Sequence, residues 1–142
     1  MWILDTDRLT LFLMGHPSVT QQVLAQPFDE IAITIVSVEE QIRGRLSAIR
    51  RASQPSSSDK LVRMYRKFHE ALDDLMRFTI LDFIESADLT YRDLRQKNPR
   101  LGTQDLRIAS IAYSLRATVV TRNQQDFRQI PNLSLADWTI PL

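Results

Sequence analysis

Four short apolar runs, each passing directly into a helical pattern, restrict what this chain can fold into more than any other feature. They are residues 2–4 (WIL), 31–36 (IAITIV), 78–81 (FTIL) and 118–120 (TVV). Runs this short, β-branched and almost without polar interruption suit strands covered on both faces, as in a parallel sheet. Apolar residues at helical spacing fill the gaps. They include Leu9, Phe12 and Leu13; Val19, Val23 and Leu24; Ile42, Leu46 and Ile49; and Leu106, Ile108, Ile111, Ala112 and Leu115. Strands alternating with helices indicate a parallel α/β sandwich whose strand C-termini share one edge. Residues 133–138 add a short edge strand. At 142 residues the chain has the size of a single domain, 1–142.

Punctuation between these segments is equally readable. Asp7 is expected to cap the first helix, and Gly15 ends it. Pro17 suits a first helical turn, and Pro27 breaks the pattern that follows. Ser37-Val38-Glu39-Glu40 matches a capping box, which gives Glu40 a structural task. Gly44 inside the next helix suggests close packing. Residues 53–59 (SQPSSSD) read as a connection between two helices. The second of these carries Leu61, Met64, Tyr65, Phe68, Leu72 and Leu75 on one face, so an antiparallel helical hairpin is expected.

Composition removes several kinds of chemistry. With no cysteine and two histidines, there is no thiolate nucleophile or Cys-ligated zinc and little for a His-based site. Any metal sits on oxygen ligands. No apolar run is long enough to cross a membrane, and the N-terminus meets an Asp too early for a signal peptide, so a cytoplasmic protein is expected. The net charge of +1 averages uneven patches. Arg43, Arg45, Arg50 and Arg51 fall close together, and Lys60, Arg63, Arg66 and Lys67 recur at helical spacing. Such residues could follow a phosphate backbone, although charge alone favours two solvated helix faces.

The chemistry-bearing positions lie far apart in the chain. Asp5 ends the first strand, Glu40 lies at the start of the helix after the second, and Asp105 is in the first turn of a late helix. Asn123 and Asp126 follow the fourth strand. A parallel sheet gathers the strand-end positions onto one edge, where ligands bind in open α/β folds. Carboxylates packed there repel one another, and Mg²⁺ or Mn²⁺ is the usual relief. Each position also has a structural reading: Asp7 and Glu40 as capping residues, and Asp105 as complement to its helix dipole. Asp5 has no obvious structural need.

These pieces resemble the PIN-domain ribonucleases, most closely the VapC-type toxins of bacterial toxin–antitoxin pairs. The matching stretches are ILDTD at 3–7, SVEEQIRG at 37–44, GTQDLRIAS at 102–110 and VVTRNQQDF at 119–127, with an echo in ILDF at 80–83. They span almost the whole chain in family order. The resemblance implies a three-layer α/β/α sandwich with a central, mainly parallel sheet of four or five strands and a protruding helical hairpin. It also implies a site of Asp5, Glu40, Asp105 and Asn123, with Asp5 and Asp105 as metal ligands. Thr6, Asp7, Thr121 and Asp126 would support it, and Arg43, Arg45, Lys60, Arg63 and Lys67 would contact RNA. The implied cofactor is Mg²⁺, with Mn²⁺ an option. The implied reaction is water attack on an RNA phosphodiester, leaving a 5′-phosphate and a 3′-hydroxyl. The implied partners are RNA, a small cognate antitoxin and a second copy of the chain.

Two other readings stand beside this one. Asp5-Thr6-Asp7 after a strand also begins the haloacid-dehalogenase-like phosphatases, in which the first Asp is the nucleophile. That pattern expects Thr or Val two residues after the second Asp, where this chain has Leu9. The other reading is a catalytically weak PIN-like module that binds RNA or a partner without cutting.

Overall fold

The computed structural model of the chain describes residues 1–54 and 58–141. Its elements run β1 (Trp2–Leu4), α1 (Thr6–Leu13), α2 (Pro17–Leu24), β2 (Ile31–Thr34), α3 (Ile35–Ala52), α4 (Ser58–Leu75), β3 (Thr79–Leu81), α5 (Glu85–Lys97), α6 (Thr103–Leu115), β4 (Thr118–Val120), α7 (Gln124–Phe127) and β5 (Ser134–Ala136). The five strands form one parallel sheet in the order β3-β2-β1-β4-β5.

Alternation along the strands divides the core in two. Ile3 and Val119, opposite one another in register, join the buried residues of α5 and α6, including Ala87, Leu94, Leu106 and Ile111. Their neighbours Leu4 and Val120 face the other way, toward Leu9 of α1, Val19 and Val23 of α2, and Leu75 at the end of α4. Successive strand residues point to opposite faces, so helices cover both sides of the sheet and a three-layer sandwich results. Ala109 and Ala112 are fully buried and let α6 lie close against this sheet.

Helices α3 and α4 form the expected hairpin. Within residues 43–51 and 59–70 none is fully buried. The end near the sheet is anchored through Val36 and Ser37 on α3 and Ala71 and Leu75 on α4, and at the far end of α3 Ala52 is buried. The hairpin therefore projects from the sandwich. Of the connection expected at 53–59, residues 55–57 lie outside the described residues.

Several local expectations change. The second strand stops at Thr34, and the helix begins at Ile35 rather than after Ser37. Thr34 is the N-cap, its hydroxyl accepting the Ser37 N–H at 3.1 Å, so the Ser37–Glu40 capping box does not form. Gly44 meets nothing that a Cβ would touch within 4 Å, so close packing does not explain it. Leu24, Leu46, Tyr65, Leu72 and Leu115 are exposed rather than part of their helices' buried faces. Among the described residues no helix is long and apolar enough to cross a membrane.

Candidate active site

The chain leaves β1 toward β2 on one side and later returns to β4 on the other. The C-terminal ends of these adjacent strands therefore border the crevice where strand order reverses. Asp5 follows β1 and Thr121 follows β4, which brings two side chains 116 positions apart in sequence to one place.

Asp5 has a structural task that the sequence reading assigns to Asp7. It is the N-cap of α1, and its Oδ1 accepts the Arg8 N–H at 2.8 Å. Asp7 instead sits exposed in the first turn. Burial pushes the Asp5 carboxyl above the usual carboxylate range, against the Thr121 hydroxyl, the Arg8 amide and the Arg8 guanidinium, which all favour the charged form. The Arg8 Nε stands 4.0 Å from Oδ1, too far to offset the loss of water. Arg8 is itself only 4% exposed, and among the described residues its Nε and Nη1 have no hydrogen-bond partner. Sequence reasoning passes over Arg8. Its i,i+3 spacing from a strand-end Asp is a signal, but an Arg on a short helix ordinarily reads as a solvated one.

Glu40 arrives from the second turn of α3. The Thr6 hydroxyl donates to its Oε1 at 2.7 Å and also lies 3.2 Å from the Ser37 hydroxyl. Thr6 thereby ties the first helix to the third and fixes the Glu40 carboxylate toward the crevice. Asp105 enters from the first turn of α6, just after Gly102 at the N-cap. Its pKa is pushed up to about 6, first by burial and then by repulsion from Asp5, Glu40, Asp126 and Asp7. All four therefore lie within electrostatic reach of Asp105, although their elements span the chain.

The turn after β4 is internally bonded. The Asn123 N–H donates to the Thr121 hydroxyl at 3.0 Å, and the Asn123 side-chain amide donates to Asp126 Oδ2 at 2.9 Å. Asp126 thus acts on Asp105 directly through its charge, while exposed Asn123 holds Asp126.

The basic residues separate into groups. Arg45 lines a groove of about 460 Å³ together with Thr6, Glu40, Gln41 and Arg51. A second recess of about 320 Å³, sharing Thr10, Met14, Gln41 and Arg45, carries the groove on to Lys67. Gln41 bonds the Thr10 hydroxyl at 2.6 Å between α3 and α1. Arg43 is paired with Glu39 at 2.6 Å. Lys60 and Arg63 are exposed on α4 and line neither recess.

As placed, no group of three His, Asp or Glu side chains among the described residues is arranged to hold one ion. The donor set still suits a hard cation: oxygen ligands only, and a half-buried carboxyl whose ionisation other carboxylates oppose. Mg²⁺ keeps several waters and needs few protein ligands, which a loosely gathered set can provide.

A parallel sandwich with carboxylates around the switch point defines a class, and comparison with known proteins assigns it. The PIN domain model matches residues 3–133, and the chain belongs to the PIN-domain family. Its named relatives there are VapC ribonucleases. Ribonuclease VapC2 of Rickettsia felis is 43% identical over 68 residues, an alignment covering 45% of this chain and about half (51%) of that relative. Ribonuclease VapC1 of Haemophilus influenzae (strain R2866) is 24% identical over 145 residues, covering 98% of each chain. Among solved structures, a chain of the Rickettsia felis VapBC2 complex bound to a promoter DNA fragment superposes with a TM-score of 0.74 at 27% identity, covering 96% of this chain and 98% of that one. Family membership sets aside the haloacid-dehalogenase-like reading of Asp5-Thr6-Asp7.

Proposed function

We propose that this protein is a metal-dependent endoribonuclease that hydrolyses RNA phosphodiester bonds, acting as the toxin of a toxin–antitoxin pair. The observation that carries the reading is the state of Asp105. A carboxyl that burial and four other carboxylates push to about 6 is poised for a cation, and a metal-ligand role accounts for gathering them. Support also comes from the relatives named as ribonucleases.

Asp5 and Asp105 would hold Mg²⁺, or Mn²⁺ in its place. When bound, the ion supplies charge neutralisation at the phosphate and a water acidified for attack on phosphorus. Glu40, held by Thr6, takes the proton of the attacking water. The new bond joins that oxygen to phosphorus while the bond to the 3′ oxygen breaks. The 3′ oxygen leaves as an alkoxide that takes a proton from solvent, and the phosphate stays on the 5′ side. Thr121 fixes the Asp5 rotamer, and Asn123 holds Asp126 at the rim, where its charge helps keep Asp105 receptive to a cation. Asp7 adds charge from outside the crevice. Arg45 and Lys67 border the groove leading from Glu40 and offer phosphate contacts there, while Arg43, Lys60 and Arg63 add more diffuse attraction.

The test is incubation of the purified chain with cellular RNA, with and without Mg²⁺, and mapping of the ends. The expected outcome is 5′-phosphate and 3′-hydroxyl ends only with the metal, with kcat/KM at least ~10²-fold lower in Asp5→Asn. RNA binding without cleavage would sink the nuclease and favour a binding module.

For the partner, the hairpin exposes Leu46, Val62, Tyr65, Leu72 and Met76, an apolar surface suited to a small antitoxin. Homodimerisation belongs to the same proposal. Repeating the assay with the product of an adjacent small gene tests the pairing, since a cognate antitoxin forms a complex and silences cleavage.

A further inference from the structure

A recess on the same sheet edge takes no part in the chemistry above. Ile35, Val36, Glu39, Phe83 and Arg107 line a cavity of about 310 Å³ beyond the ends of β2 and β3. Two of its lining residues neighbour the acidic cluster in sequence: Glu39 precedes Glu40 on α3, and Arg107 is two residues from Asp105 on α6.

Its walls are organised. Phe83 stands edge-on to Tyr91, with ring centroids 6.3 Å apart and an interplanar angle of 76°. The Arg107 guanidinium lies over the same Tyr91 ring at 5.6 Å. Arg107 Nη1 donates to Gln104 Oε1 at 3.0 Å, Gln104 Nε2 donates to Glu39 Oε1 at 2.9 Å, and Arg43 donates to Glu39 Oε2 at 2.6 Å. This chain of bonds fixes a planar cation on one wall and neutralises the Glu39 carboxylate through Arg43. Ile35 and Phe83 supply apolar surface on the remaining sides.

A flat, partly apolar ligand with acceptors on its edge and an anion attached matches these walls. An aromatic wall and a guanidinium plane are the surfaces on which unpaired bases stack, and the guanidinium also favours the attached phosphate. We propose that this cavity is a base pocket, taking an unpaired nucleobase that flanks the scissile phosphate and thereby setting where the chain cuts RNA. The proposal rests on the ribonuclease reading and adds the specificity-determining residues Phe83 and Arg107. Among the described residues Arg107 bonds Gln104 rather than Asp5, Glu40 or Asp105.

Two measurements test it. Single-stranded oligonucleotides differing only in the bases flanking the cut are compared by kcat/KM for wild type, Phe83→Leu and Arg107→Met. Wild type should prefer one base at one flanking position. Both variants should flatten that preference about tenfold, through loss on the preferred substrate with the poorest one cleaved within a few-fold of wild type. Preference unchanged in folded variants would overturn the proposal. So would a shift from dimer to monomer with preference intact, which would make the recess a self-association surface. The second measurement covers variants that fail to fold and a chain that cleaves nothing. A short RNA is titrated into the metal-free wild-type chain while methyl NMR signals are followed. Selective shifts at Ile35 and Val36 support the pocket, and shifts confined to residues along the Arg45–Lys67 groove refute it. Absence of cleavage under every condition, by contrast, overturns the proposed function and leaves this titration readable.

Discussion

Asp105 shows how a single carboxyl can be placed at a cost to the fold. In the first turn of α6 it complements the helix dipole, yet its pKa stands at about 6 against an ordinary 3.8, so burial and repulsion prevail over the dipole. The native chain then holds this proton more tightly than the unfolded one, so stability falls as pH rises from about 4 through 6. Without metal, Asp105→Asn should therefore melt higher than wild type at pH 7.5, and the gain should vanish at pH 4. Equal melting temperatures at both pH values would contradict the assigned repulsion. The positions of Asp5, Glu40 and Asp105 were legible because strand ends and helix starts are written in apolar periodicity, and a parallel sheet gathers its strand ends. Their bonding partners were not. Whether Asp5 or Asp7 caps α1 depends on the extended backbone at residue 5, with φ −69° and ψ 172°, and both are good capping types. The burial of Arg8 depends on the surrounding fold, and its i,i+3 spacing from Asp5 does not by itself fix it.

At the scale of elements, the β2–α3 junction records where sequence pattern misleads. Ile35 and Val36 are β-branched and extend the strand on paper, but Thr34 caps the helix two residues before the apolar run ends. Val36 is buried at 4% exposure in its helical place, so burial as a constraint is met by either assignment. The shift frees Glu40 from a cap and leaves it to the Thr6 hydroxyl. Gly44, farther along α3, has open space where a Cβ would stand. Gly44→Ala should stabilise the chain by about 1 kcal/mol through helix propensity alone. Urea unfolding checks this, and a destabilised variant would reveal a contact or motion that needs the bare backbone.

For the molecule as a whole, architecture was the most legible level. Four of the five strands, the fifth at the edge, the parallel arrangement and the hairpin all follow from alternating periodicities, because the central strands β1, β2 and β4 are largely buried on both faces and thus unbroken in sequence, while β3 and β5 lie at the edges. Sidedness within a helix was less so: Tyr65 and Leu72 extend an apolar stripe yet face solvent, since the stripe is wider than the neighbour that covers it. The hairpin's burial pattern carries one further consequence. With residues 43–51 and 59–70 contributing nothing fully buried, the outer turns of α3 and α4 can open without breaching either half of the core. Native-state hydrogen exchange should find amides there far less protected than those of β1 and β4, and uniform protection would refute it. A surface that opens so cheaply is also one that a bound partner could set, so the part of the molecule with the least stability of its own would gain the most from being occupied.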